Sequence, residues 1–192
     1  MAKKKPHRNI RIVKYIMYRE TLVDVKEHIW TFLGAFTGIA LIGLLNSRYV
    51  SVSDNLFLVG PFGASSVLIY GVINSPLAQP RNLIGGHLLS AFTGVCFYKL
   101  FPQDLWLAAA LSVSTAIVLM QITKTLHPPG GASAIIACIG SEKIKALGFW
   151  FVINPILCGV LILFTVALIF NNIGKTRKYP ANWNLKKKNF WK

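Results

Sequence analysis

Carboxylates are the scarcest feature of this sequence. Only 6 of its 192 residues are Asp or Glu, against 21 Lys or Arg. None of the six falls inside a long apolar stretch. That excludes a carboxylate proton relay and a sodium site built on carboxylates in a membrane interior. Charge of either sign is also thin, at 14%, where a soluble domain carries about a quarter. Cysteine is nearly absent. Cys96, Cys138 and Cys158 lie in apolar stretches, with no metal or redox spacing and an odd count that argues against a disulfide framework. Membrane-embedded enzymes gather Asp, Glu or His near one membrane face. No such gathering is readable here, so the expectation is no enzyme, no cofactor and no metal.

The charges that remain are segregated. The formal net charge of +15 is concentrated in residues 1–28 and 172–192, with only scattered charges between. A basic surplus of this kind raises nucleic acid as a partner, but no base-reading motif accompanies it, so none is expected. The two ends read instead as cytoplasmic anchors on anionic lipid headgroups. The leader is too long and too charged for a cleavable signal peptide. Residues 10–28 read as an interfacial amphipathic helix. Residues 29–171 are the membrane domain, and the expected location is a bacterial inner membrane.

Four segments, 29–49, 83–101, 105–123 and 147–170, approach the roughly 20 apolar residues that a bilayer crossing needs. Two shorter segments are broken by Gly60-Pro61-Phe62-Gly63 and by His127-Pro128-Pro129-Gly130-Gly131. Proline cannot continue a helix from behind but suits the first turn of a new one. Each broken segment is therefore predicted to be an extended leg followed by a short helix, over 63–74 and 131–140. The resulting fold class is all-α, with about six membrane segments, four full and two half, the half segments either completing a crossing or re-entering.

The broken segments resemble each other. Pro61-Phe62-Gly63-Ala64-Ser65-Ser66 aligns without gaps on Pro129-Gly130-Gly131-Ala132-Ser133-Ala134. The chain then divides into halves at about 29–103 and 104–171, each long, broken, long. An odd number of spans per half makes this a 3+3 inverted repeat. Two half-helices would begin near the midplane, where N-terminal N–H groups and dipoles form an anion site. Gly63, Ala64, Ser65, Ser66, His127, Gly130, Gly131, Ala132 and Ser133 are its predicted lining. His87 and Lys124 are candidates for a pathway or a proton-linked role. Either histidine can hold a proton near neutral pH. Gly34 and Gly38 form a Gly-x-x-x-Gly pair, suited to a homo-oligomer or to internal packing.

The run His127-Pro128-Pro129-Gly130-Gly131-Ala132-Ser133-Ala134 resembles the signature of the HPP family of integral membrane proteins. The likeness extends through Gly60-Pro61-Phe62-Gly63-Ala64-Ser65, Pro80-Arg81-Asn82, Gly85-Gly86-His87 and Tyr179-Pro180 with Trp183. The family is usually described as four-span, against the six segments counted here. Its plastid and cyanobacterial members are nitrite transporters, so the resemblance implies a small inorganic anion, with nitrite leading. Some relatives append CBS domains, which this length does not accommodate. The runner-up is a structural or partner-binding membrane subunit without transport.

Overall fold

The structure, a computed structural model, describes residues 25–49, 60–174 and 176–181. The predicted interfacial helix falls almost wholly outside them. Its last residues belong to the first long helix, α1 (Val25–Tyr49), which carries Glu27 in its first turn and Arg48 in its last, as the helix dipole favours. The first half-helix, α2 (Gly60–Ser66), continues as a wider π turn over Val67–Gly71. A 3-10 turn (Pro76–Ala78) leads to α3 (Pro80–Leu100), with Pro80 in the first turn. Then come α4 (Leu105–Ile122), the second half-helix α5 (Pro128–Ile139), a short α6 (Glu142–Leu147) and α7 (Cys158–Ile173). A π turn over Val152–Leu157 precedes α7. It is kinked at Asn154, where backbone angles of −131° and 112° leave the helical region ahead of Pro155.

Four helices are long and apolar enough to cross a membrane, and no strand occurs among the described residues. The protein is therefore an all-α integral membrane protein. Large apolar side chains such as Phe32, Phe36, Trp106, Val118, Leu161 and Ile169 point outward on several helices, where hydrocarbon rather than water suits them.

The half-helices begin three residues earlier than predicted. The prolines open them instead of ending the legs before them, because a fixed φ and a missing N–H cost nothing in a first turn. The leg before α5 is short and extended, with His127 at φ −141° and ψ 102°. The leg before α2 lies outside the described residues.

Side-chain contacts fix how the segments run. Arg177, after α7, pairs with Glu27 at the start of α1 at 3.2 Å, so both described ends share one face of the bundle. Arg177 also reaches the Tyr70 carbonyl at the end of α2, and Tyr179 Oη donates to Ala78 O at 2.7 Å just before α3. Arg81 Nη2 donates to Thr123 O at 2.6 Å, placing the end of α4 there too. On the opposite face, Lys145 stacks over Tyr98, and Lys99 over Phe149. The half-helices thus run in opposite directions, as an inverted repeat requires. The first long helix of each half, α1 and α4, is the more exposed, and the third, α3 and α7, is the more enclosed.

This arrangement makes a direct prediction. With the native cysteines replaced, Ser141→Cys and Lys178→Cys should react with an impermeant maleimide from opposite sides of a sealed vesicle. Reaction of both from one side would exclude six crossings.

Small residues set the interior spacing. A Cβ on Gly34 would lie 2.7 Å from the Tyr70 ring, and one on Gly38 would lie 2.6 Å from its hydroxyl. The Gly-x-x-x-Gly pair is thus filled by Tyr70 of the same chain, whose Oη donates to Leu163 O at 2.9 Å. Between α3 and α5 the backbones themselves touch. A Cβ on Gly94 would lie 2.5 Å from Ala134 O, and one on Gly130 would lie 2.8 Å from Gly86 O.

Candidate functional site

That close approach carries His127 deep into the bundle. A Cβ on Gly86 would lie 2.5 Å from the His127 Cβ, so only glycine at 86 lets the start of α5 lie against α3. Asn82 Nδ2 fixes the incoming leg by donating to Leu126 O at 2.7 Å. His87, the next residue of α3, and Ser65, midway along the half-helix that α2 and its π turn form together, face the same point.

Four fully buried side chains meet there: Ser65, His87, His127 and Ser133. Ser65 Oγ lies 2.7 Å from His87 Nε2 and 2.9 Å from His127 Nε2. His87 Nδ1 lies 2.8 Å from Ser133 Oγ. His127 Nδ1 lies 2.8 Å from Leu77 O in the 3-10 turn. The imidazole centroids are 5.0 Å apart, and the Phe62 ring meets His87 edge-on at 5.9 Å. All four rings and hydroxyls are hydrogen-bonded, as burial in an apolar bundle demands. His87 stands about 10 Å along α3 from Pro80, roughly a third of the helix's length.

The remaining predicted residues scatter. Ser66 turns back onto its own helix, donating to Phe62 O at 2.9 Å. Gly63 and Ala64 face outward. Gly131 and Ala132 are half-buried, and the nearest atom to a Cβ on Gly131 would be 3.9 Å away, so no tight approach requires glycine there. Gly130 is the crowded one. Lys124 is exposed past the end of α4, in a left-handed conformation with φ 56°, away from the histidines.

The backbone at α5 also differs from expectation. Its first two helical positions are prolines, which have no N–H. The next amide, of Gly130, already donates to His127 O at 2.8 Å. The start of α5 therefore offers a dipole but not the row of free donors that an amide-lined anion site uses. Nor do the two half-helices meet end to end: the start of α5 abuts the middle of the α2 half-helix.

Arg177 went unrecognised in the sequence. It reads there as one more basic anchor, yet it is buried and binds Glu27, Tyr70 O and Asn171 Oδ1. Burial draws its pKa below the ordinary arginine value, and Glu27 opposes that shift. Beside it opens a cavity of about 580 Å³, bounded by Glu27, Thr31, Asn74, Ser75 and Arg177. The Leu77 carbonyl that holds His127 also had no sequence signal, being backbone. Asn82 and Gly86 stood within the family-like runs without an assigned role.

Comparison with known proteins agrees with this architecture. A family profile described as HPP, transmembrane region, matches residues 20–180. Two transmembrane proteins of Dictyostelium discoideum are similar. One is 45% identical over 168 residues, covering 86% of this chain and 59% of its own; the other is 43% identical over 165 residues, covering 83% and 52%. The chain thus spans little more than half the length of these curated relatives. No solved structure matches. From its matched region, its broken helices and its His-Pro-Pro turn, this chain belongs to the HPP transmembrane family.

Proposed function

We propose that this protein is a transporter of a small inorganic anion, with nitrite the leading substrate, and that it has no enzymatic activity. One observation carries the reading: the buried Ser65–His87–His127–Ser133 cluster lies at the crossing of two half-helices, with no carboxylate touching it among the described residues. Polar and ionisable groups at membrane depth are costly, and they mark pathways. Imidazoles and hydroxyls supply donors to a partly dehydrated anion once the contacts among them open, where the two prolines at the start of α5 leave no N–H. The basic flanks favour a cytoplasmic assignment for the face that holds both described ends by the positive-inside rule, and they favour anionic lipid as their contact. Nitrite itself rests on the likeness to plastid and cyanobacterial members.

The test is nitrite uptake by liposomes containing the purified chain, against protein-free liposomes that report nitrous acid leak. Uptake should exceed the leak and should fall toward it in His127→Asn, which cannot reach both Ser65 and Leu77. Wild-type uptake no faster than the leak would favour a structural or partner-binding subunit.

A further inference from the structure

The hydrogen-bond chain through the histidines has a polarity that one atom decides. A carbonyl oxygen only accepts, so Leu77 O requires the proton of His127 on Nδ1. In neutral His127, Nε2 is then an acceptor, and the Ser65 hydroxyl donates to it. Ser65 has one hydrogen, so its oxygen accepts from His87 Nε2–H. His87 Nδ1 is left an acceptor, and the Ser133 hydroxyl donates to it. With both rings neutral, no other assignment satisfies all four contacts.

We infer that His87 and His127 are the two stations of a proton relay, bridged by the Ser65 hydroxyl and closed at one end by the Leu77 carbonyl. This rests on the transport reading only for its cargo; the relay itself stands on the geometry. The step balances within the protein. A proton from water reaches His87 Nδ1 on the Ser133 side, making His87 a cation whose Nδ1–H now donates to Ser133. His87 Nε2 then passes its proton to Ser65 Oγ while Ser65 passes its own to His127 Nε2. His87 ends neutral with its proton on Nδ1, and His127 ends as the cation. One charge has moved between rings 5.0 Å apart, and every hydrogen bond in the chain has reversed except the last.

That last bond gives the relay its character. Leu77 O cannot take the proton onward, so His127 can release it on this side only when its Nδ1 leaves the carbonyl. The Pro76–Ala78 turn holds that carbonyl, through Ser75, whose Oγ accepts from Leu77 N at 3.3 Å, and through Gln79 Nε2, which donates to Ile73 O and Ser75 O at 3.0 and 2.9 Å. A proton therefore passes only together with a movement of the turn, which is coupled carriage and not open conduction. The groups around the pair leave it free to act. Phe62 of α2, Ser133 of α5 and Ser90 and Met120 of the α3–α4 contact are uncharged. Arg81 and Lys124 lie at the ends of α3 and α4, where Arg81 binds Thr123 O, and Tyr179 binds Ala78 O beyond the turn. Arg177 is held by Glu27.

Nitrogen NMR of the full chain, labelled at histidine and reconstituted in lipid, reads the tautomers directly. At a pH where both rings are neutral, His127 should show its proton on Nδ1 and His87 on Nε2. As the pair takes up its first proton, the His87 assignment should switch to Nδ1 while His127 becomes the cation. In Ser65→Ala that switch should be lost, and in Ser65→Thr it should return with the hydroxyl. The opposite neutral tautomer at either ring would overturn the relay, and so would a His87 switch that persists in Ser65→Ala. Nitrite uptake driven by an imposed pH gradient, run on the same preparations, separates the two claims. Absent uptake with the switch intact sinks the anion reading alone. Gradient-driven uptake unchanged in Ser65→Ala sinks the relay alone.

Discussion

Gly130→Ala should leave little folded protein, whereas Gly131→Ala, one residue on, should express at least as well as wild type. The two glycines look equivalent in the sequence. In the fold, a methyl group on Gly130 would lie 2.8 Å from Gly86 O, 2.9 Å from Ser90 Oγ and 3.0 Å from Gly86 C. Two of these three atoms are backbone of a neighbouring transmembrane helix, so relief requires α3 and α5 to separate. Separation would also open the contact of Gly94 with Ala134 two turns further on. Overpacking of this kind costs about 3 kcal/mol, a large part of the stability of a small protein. At Gly131 the nearest atom is 3.9 Å away, so alanine meets ordinary contact and gains up to about 1 kcal/mol of helix propensity. Thermal unfolding in mild detergent, followed by size-exclusion chromatography, reads both. Equal behaviour of the two variants would mean that α3 and α5 do not pack at this distance.

Arg177→Met should be nearly as damaging, although it removes one of 21 basic residues. The guanidinium holds together Glu27 at the start of α1, the Tyr70 carbonyl at the end of the α2 half-helix and Asn171 in the last turn of α7. Removing it takes the charged donor from both a half-buried carboxylate, which keeps Thr176 Oγ1, and the Tyr70 carbonyl, which keeps Thr31 Oγ1 at 2.9 Å. Breaking a buried pair from one side costs about 3 kcal/mol or more. Lysine should not restore it, since one ammonium cannot span three acceptors in the planar fork that arginine presents. Glu27→Gln should cost less, because the amide oxygen still accepts from Thr176 Oγ1, now 2.7 Å from Glu27 Oε1. The expected order of melting temperatures is wild type, Glu27→Gln, Arg177→Lys, Arg177→Met. A surface-like, unchanged melting temperature for Arg177→Met would contradict its burial.

The long helices were legible because a membrane crossing is a length requirement on apolar residues, and four segments met it. The half-helices were legible from their prolines, but their starts were misplaced. Proline ends a preceding helix and opens a following one equally well by sequence, and here its fixed φ opens the helix. The side chains of the candidate site were half legible. Ser65, Ser133, His87 and His127 advertise chemistry by their type. Which glycine is crowded depends on a neighbouring helix dozens of residues away, and nothing in Gly130-Gly131 encodes it locally. At α5 the expected row of free amides is shortened by a covalent fact present in the sequence, that two consecutive prolines carry no N–H. Arg177 was hidden for a different reason. Charge counts treat all basic residues alike, and its partner Glu27 lies in the first turn of the first helix.

The clamp around Arg177 has a consequence for how the chain is made. The Ile69 carbonyl at the end of the first half-helix finds its side-chain donor in Asn171, 102 residues later, while the Tyr70 carbonyl, served by Thr31 of α1 at 2.9 Å, gains its second donor in Arg177, 107 residues later. As the nascent chain leaves the ribosome, the first half enters the bilayer with the Ile69 acceptor lacking Asn171 and the Tyr70 acceptor lacking its charged donor. Both stay so until the last helix has been inserted. The first half is thus an unfinished module during synthesis, and an insertase or chaperone that shields polar backbone would have its longest task at Ile69. A ribosome stalled before α7 would leave a product that is apolar enough to remain in the membrane yet incomplete in a way that membrane quality control can detect.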